Sequence, residues 1–154
     1  MLGVPYVRQK GKRFCGPAAL AMILTYYGVE VTQEEIASIV LMGEYSYDTD
    51  LAEFARRKGF DAELLDSLTD DMSMGIIAEN CSKGIPTLVL QRYRSIGRDT
   101  HYRVVLDVKE ESVIFHDPLD GPRKEVKRDV FLSCWKKWGQ IWKDNAMIII
   151  RKKP

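Results

Sequence analysis

Cys15 stands where a loop meets a helix. The stretch "QKGKRFCGPAALAMILTYYG" puts the thiol directly before Gly16 and Pro17, then runs apolar until Gly28. A cysteine in the first turn of a helix faces unpaired backbone N–H groups and the positive end of the helix dipole. Both favour thiolate over thiol. Pro17 suits such a turn, since it has no N–H to lose and its φ is already helical. Gly16 reads as clearing space beside the sulfur for a substrate carbonyl. The alternative reading of Cys15 is a small buried hydrophobe, the commonest fate of a single cysteine.

A thiolate needs a proton partner, and the chain has only two histidines, His101 and His116. A single histidine in a strand is more often structural. His101 opens "HYRVVLDV", where a strand start can meet a helix terminus, whereas His116 sits inside "SVIFHDP". His101 is therefore the expected base, with Asp117 on the adjoining strand to orient it. His116 and Asp117 are neighbours in an extended segment and point to opposite faces, so they cannot serve each other.

The pairing of His101 with Asp117 carries a condition. A symmetric two-residue turn at Glu110 and Glu111 would put them on opposite faces of the hairpin, so a longer loop or a bulge must restore the match. Asp107 shares the face of His101 but lies about 20 Å along the strand, which is too far. Gln9 precedes the thiol on an extended segment. Its amide could donate to the oxyanion formed when a thiolate attacks a carbonyl, beside the Cys15 backbone N–H. In isolation it reads as a surface glutamine.

These groups need elements to hold them. Ala19, Leu20, Met22 and Ile23 recur at helical spacing, and Gly28 suits a left-handed stop. "TQEEIASIVL" opens on a capping box of Thr32 and Glu35 and predicts a second helix from Gln33. "DTDLAEFARRKG" and "DDMSMGIIAENCSKG" predict two more. In the second half, "IPTLVLQRY", "HYRVVLDV", "SVIFHDP" and "AMIIIR" are β-branched runs bounded by turn residues. Residues 109–111 read as a hairpin tip, and "KRDVFLSCWKKW" as one short helix. Helices followed by strands predict a single α+β domain over residues 1–154, with the helices on one side of a largely antiparallel sheet.

Composition narrows the function. With Lys+Arg 23 against Asp+Glu 22, the net charge of +1 gives no electrostatic case for nucleic acid or an anionic membrane. Three cysteines, none at CxxC spacing, argue against a disulfide framework and against structural zinc. No cofactor or metal is implied. The apolar runs are too short to span a bilayer, and no charged leader precedes a hydrophobic core, so no signal peptide is expected. The compartment is read as cytoplasmic by default, and a longer parent chain stays open.

"VPYVRQKGKRFCGPAALAMILTYYG", "GIPTLVL", "THYRVVLDV" and "VIFHDPLDGPRKEV" resemble, in order, the bacteriocin-processing cysteine peptidase domain, a papain-like fold that cleaves double-glycine leaders. The resemblance spans nearly the whole chain. It implies a papain-like fold and a peptide or protein substrate, with Cys15 as nucleophile, His101 as general acid and base, Asp117 as orienter and Gln9 as oxyanion donor. It makes Phe131 and Trp135 core residues. Transporter-linked members commonly carry an acidic residue before the cysteine and a second cysteine nearby; here those positions are Phe14 and Ala19. The match is thus to the broader C39-like group. Acyl transfer on the same triad and non-catalytic peptide binding are the competing functions.

Overall fold

The computed structural model describes residues 1–42, 45–95, 99–138, 141 and 143–154. An extended N-terminal segment leads through a 3-10 turn, Lys12–Phe14, into α1 (Cys15–Tyr26), α2 (Gln33–Val40), the two-residue strands β1 (Leu41–Met42) and β2 (Tyr45–Ser46), and α3 (Asp48–Arg57). Then follow β3 (Phe60–Leu65), α4 (Asp70–Ser82), β4 (Thr87–Arg92), β5 (Thr100–Val108), β6 (Ser112–Asp117), β7 (Gly121–Lys127), α5 (Arg128–Cys134) and β8 (Met147–Lys152). The main sheet has the order β3-β8-β4-β5-β6-β7, with every neighbouring pair antiparallel.

The predicted helices form where their sequence signals put them. Gly28 closes α1 at φ +90, and Gly59 follows α3 at φ +95; only glycine takes this backbone conformation cheaply. The Glu35 N–H donates to Thr32 Oγ1 at the start of α2, as a capping box requires.

The helices do not share one side of the sheet. Leu20 and Ile23 of α1, Ile36 of α2 and Leu51 of α3 pack on the face made by Leu88, Val104, Ile148 and Ile150. Met74 and Ile77 of α4 and Phe131 of α5 pack with Val89, Val105 and Ile149 on the other. The cause is legible in the strands. Val104-Val105 and Ile148-Ile149-Ile150 are continuous apolar runs, as strands buried on both faces require. Phe131 and Trp135 lie in this second core, 1% and 0% exposed, with their rings edge to face at 5.4 Å.

Two strands of the sheet carry no strand signal in sequence. β3, "FDAELL", is composed of residues equally at home in a helix, and its pairing with β8 decides its state. β7, "GPRKEVK", is a charged, mostly exposed edge strand opening on Gly-Pro. Such a composition protects an edge from pairing with another chain while concealing it from a hydrophobic pattern.

The hairpin between β5 and β6 sets the register of the site. Lys109 N donates to the Ser112 carbonyl at 2.8 Å, so the turn is the tight one at Glu110 and Glu111. Val108 pairs with Val113 and Asp107 with Ile114, but Val105 pairs with Phe115 and Val104 with His116. Leu106 is therefore an extra residue, a β-bulge. It brings Val105 and Val108, three apart, onto one face, where both pack in the second core. It also brings His101 and Asp117 onto a common face, so the condition set by the sequence is met by a bulge.

Candidate active site

Cys15 is the first residue of α1, and no side chain caps this helix start. Gly16 next to it is buried, but the space left by its missing side chain is filled by protein. A Cβ there would meet Ser46 Cβ at 3.0 Å, Leu51 Cδ1 at 3.2 Å and Tyr102 Cδ2 at 3.2 Å. The expectation that Gly16 clears room for a substrate carbonyl is corrected: this glycine lets the tip of α1 press against β2, α3 and β5. The thiol itself opens onto a cavity of about 730 Å³, which Gln9, Ser46, Leu90, Tyr93, His101 and Tyr102 also line.

His101 reaches this cavity from the start of β5, directly across from Gln91 on β4. It is 4% exposed. Its Nε2 lies 2.6 Å from Asp117 Oδ1, and the ring lines the same cavity as Cys15, near enough for the thiol to influence its titration. The ring is thus hydrogen-bonded to a carboxylate and shares the cavity wall with a thiol. Burial works against the charged ring, yet the Asp117 hydrogen bond and the neighbouring Cys15 thiol outweigh it and raise His101 above its ordinary pKa. Tyr93 packs edge-on against the ring with centroids 5.1 Å apart and covers it.

Asp117 is fully buried and its carboxylate is saturated with donors. Oδ1 accepts from His101 and from the backbone N–H groups of Leu119 at 2.8 Å and Asp120 at 3.0 Å, while Oδ2 accepts from Arg103 Nε at 2.8 Å. Burial alone would favour the neutral acid. The His101 hydrogen bond and the charges of His101 and Arg103 prevail and hold the carboxyl far below the usual carboxylate range.

Gln9 is fixed through its backbone to the segment after Asp117. Its N–H donates to the Pro118 carbonyl at 2.9 Å, Tyr6 Oη donates to the Asp117 carbonyl at 2.6 Å, and Arg8 Nη1 to the Leu119 carbonyl at 2.6 Å. The Gln9 amide donates one of its N–H bonds to the Gly11 carbonyl at 2.9 Å, which sets its orientation and leaves its second N–H. Its Oε1 is buried and has no partner among the described residues.

His116 is occupied elsewhere. Its Nε2 donates to the Val4 carbonyl at 2.7 Å, and its Nδ1 accepts from the Arg123 backbone N–H at 3.1 Å. Two backbone partners define one neutral tautomer, and burial pushes the ring's pKa down. Arg123 takes φ +51 to make this contact, at an irregularity in the β6–β7 pairing. Cys81 is half-buried and pushed up to about 11 by burial, and Cys134 is buried. Reading the residues singly overlooked Arg103 and Tyr93. Arg103 follows His101 by two positions, so the strand period alone would have put it on the same face.

The peptidase C39 family profile matches residues 3–146. The chain belongs to the peptidase C39 family. It is 30% identical over 150 residues to an uncharacterized protein of Methanothermobacter marburgensis, covering 96% of this chain and 89% of the relative. Its fold is similar to that of a putative C39-like peptidase from Bacillus anthracis, with a TM-score of 0.77 at 19% identity, covering 98% and 96% of the two chains. It is also similar to the peptidase domain of Streptococcus ComA, a bifunctional ABC transporter involved in quorum sensing. There the TM-score is 0.76 at 21% identity, covering 96% and 97%. A double-glycine-motif protease from an AMS/PCAT transporter, in complex with its leader peptide, superimposes with a TM-score of 0.70 at 19% identity, covering 97% and 92%. The papain-like α+β architecture of this C39 domain accords with all three. Among the described residues no helix is long and apolar enough to cross a membrane.

Proposed function

We propose that this C39 domain is a cysteine peptidase acting through an acyl-enzyme on Cys15. The observation that carries the reading is the convergence of Cys15, His101 and Asp117, with the imidazole bonded to the carboxylate at 2.6 Å and lining one cavity with the thiol. Cys15 Sγ attacks the carbonyl carbon of a peptide bond while its proton resides on His101 Nδ1. The carbonyl oxygen takes the negative charge and accepts from the Cys15 backbone N–H and the free N–H of the Gln9 amide. His101 returns the proton to the leaving nitrogen, the C–N bond breaks, and a thioester remains. His101 then takes a proton from water, whose oxygen attacks the thioester and releases the acid and the thiol. Asp117 accepts the Nε2–H throughout and keeps the tautomer.

A peptide is the substrate class that fits. Leader peptides occupy the similar transporter protease, and the cavity beside Cys15 has Tyr47 and Leu119 as exposed apolar groups on its wall. Intact-mass spectrometry after exposure to a panel of peptides and acyl esters tests the proposal. The expected result is a transient acyl adduct on Cys15 followed by the free acid. An adduct that clears only when an amine is added would assign acyl transfer, and peptide binding with no adduct would assign a binding domain.

A further inference from the structure

Arg103 lies two residues after His101 on β5 and is 5% exposed. Each nitrogen of its guanidinium is engaged. Nε donates to Asp117 Oδ2 at 2.8 Å, Nη1 to Gln91 Oε1 at 2.8 Å and the Arg92 carbonyl at 3.2 Å, and Nη2 to the Tyr93 carbonyl at 2.7 Å. The group sits over the Phe115 ring at 5.1 Å. Gln91 is itself fully buried and donates to the Phe131 carbonyl at 3.1 Å. A chain of buried polar contacts therefore runs from the middle of α5 through Gln91 and Arg103 to the carboxylate that faces His101.

We propose that Arg103 is a positioning residue for the thiol–imidazole pair, acting through Asp117. This rests on the reading of Cys15 and His101 given above. The guanidinium locks Oδ2 from behind, so that Oδ1 meets His101 Nε2. Its charge also shares the carboxylate, so His101 faces a partly neutralised anion and releases its second proton at lower pH than it would beside an unpaired one. Without that restraint the imidazolium would persist to higher pH, and the base needed for the second half of the reaction would be scarcer. Other ionisable groups lie around the His101–Asp117 pair: Cys15 on α1 beside His101, Tyr6 on the N-terminal segment and Tyr93 after β4 near Asp117, and Arg94, Asp120, Lys124 and Glu125 along the cavity that Asp117 lines. Among the described residues, the cationic side chains paired with Asp117 are His101 and Arg103.

The alternative is that Arg103 only satisfies the Arg92 and Tyr93 carbonyls. Alkylation of Cys15 by iodoacetate separates the two, and it needs no substrate. The reagent requires thiolate and, being an anion, is drawn by the imidazolium, so its rate rises and then falls with pH. In Arg103→Met the falling limb should move to higher pH, and in Arg103→Lys it should return towards wild type. Peptide turnover by Arg103→Met should drop about 10²-fold with KM nearly constant, as a small misplacement of reacting groups costs. Where Arg103→Met folds poorly, Asp117→Asn/Arg103→Met is compared with Asp117→Asn. Coincident profiles support action through the carboxylate, and a further shift overturns it. A falling limb that stays at its wild-type position in folded Arg103→Met also overturns the proposal. A wild-type profile with no falling limb would instead remove the thiol–imidazole pair itself.

Discussion

His101 and His116 lie on adjoining strands, both buried, and their surroundings differ. One ring is bonded to a carboxylate and shares a cavity with the Cys15 thiol; the other has a carbonyl and an amide N–H at its two nitrogens. His101→Ala should abolish peptide turnover, whereas His116→Ala should leave turnover substantial and lower the melting temperature, because it strips the Val4 and Arg123 contacts. Steady-state kinetics beside thermal denaturation checks both. Gln9→Ala should cut acylation about 10²-fold, roughly 3 kcal/mol, with little change in alkylation of Cys15 by iodoacetamide, since displacement at an alkyl halide forms no oxyanion. Equal losses with both would point to a disturbed helix start. Asp117→Asn is less conservative than its shape suggests. An amide that presents its oxygen to His101 turns its NH2 towards Arg103 Nε, a donor, so the variant should lose about 3 kcal/mol of stability in urea titration as well as rate.

At the scale of elements, the helices and the buried strands were legible because their signals are local: capping residues, terminal glycines and unbroken β-branched runs. β3 and β7 were not, since one is decided by pairing with β8 and the other hides its edge behind charge. Gln9, Cys15, His101 and Asp117 could be picked from the sequence as a candidate set. Its geometry was legible only as a condition, because a bulge adds one residue without changing composition. Leu106 is that residue. Deleting it should carry His101 and Asp117 to opposite faces of the hairpin and abolish turnover, with the remaining β-structure retained in circular dichroism. The function of Gly16 was misread for a similar reason, because what a missing side chain makes room for depends on the packing of distant elements. Gly16→Ala should destabilise the fold by about 1–3 kcal/mol, an overpacking cost.

For the molecule as a whole, the site and the fold share their titrations. Asp117 is held below its ordinary 3.8, so its contribution to stability is present above that value and is lost as pH falls through the folded pKa. His116 is depressed from 6.5, so the fold favours the neutral ring and stability is lost as pH falls below that value. His101 is raised above 6.5, so its contribution is present below that value and disappears as pH rises through the folded pKa. Urea midpoints should therefore fall on the acid side, and His101→Ala should flatten the decline that His101 contributes on the neutral-to-alkaline side. The central claim is that the fold makes one of its three free cysteines a nucleophile. Limited iodoacetamide labelling of the native protein near pH 6, read by peptide mapping in wild type and His101→Ala, tests it most directly. The account predicts that Cys15 is labelled well before Cys81 and Cys134, and that His101→Ala removes this preference. Labelling of Cys81 or Cys134 first, or a Cys15 preference indifferent to His101, would contradict it.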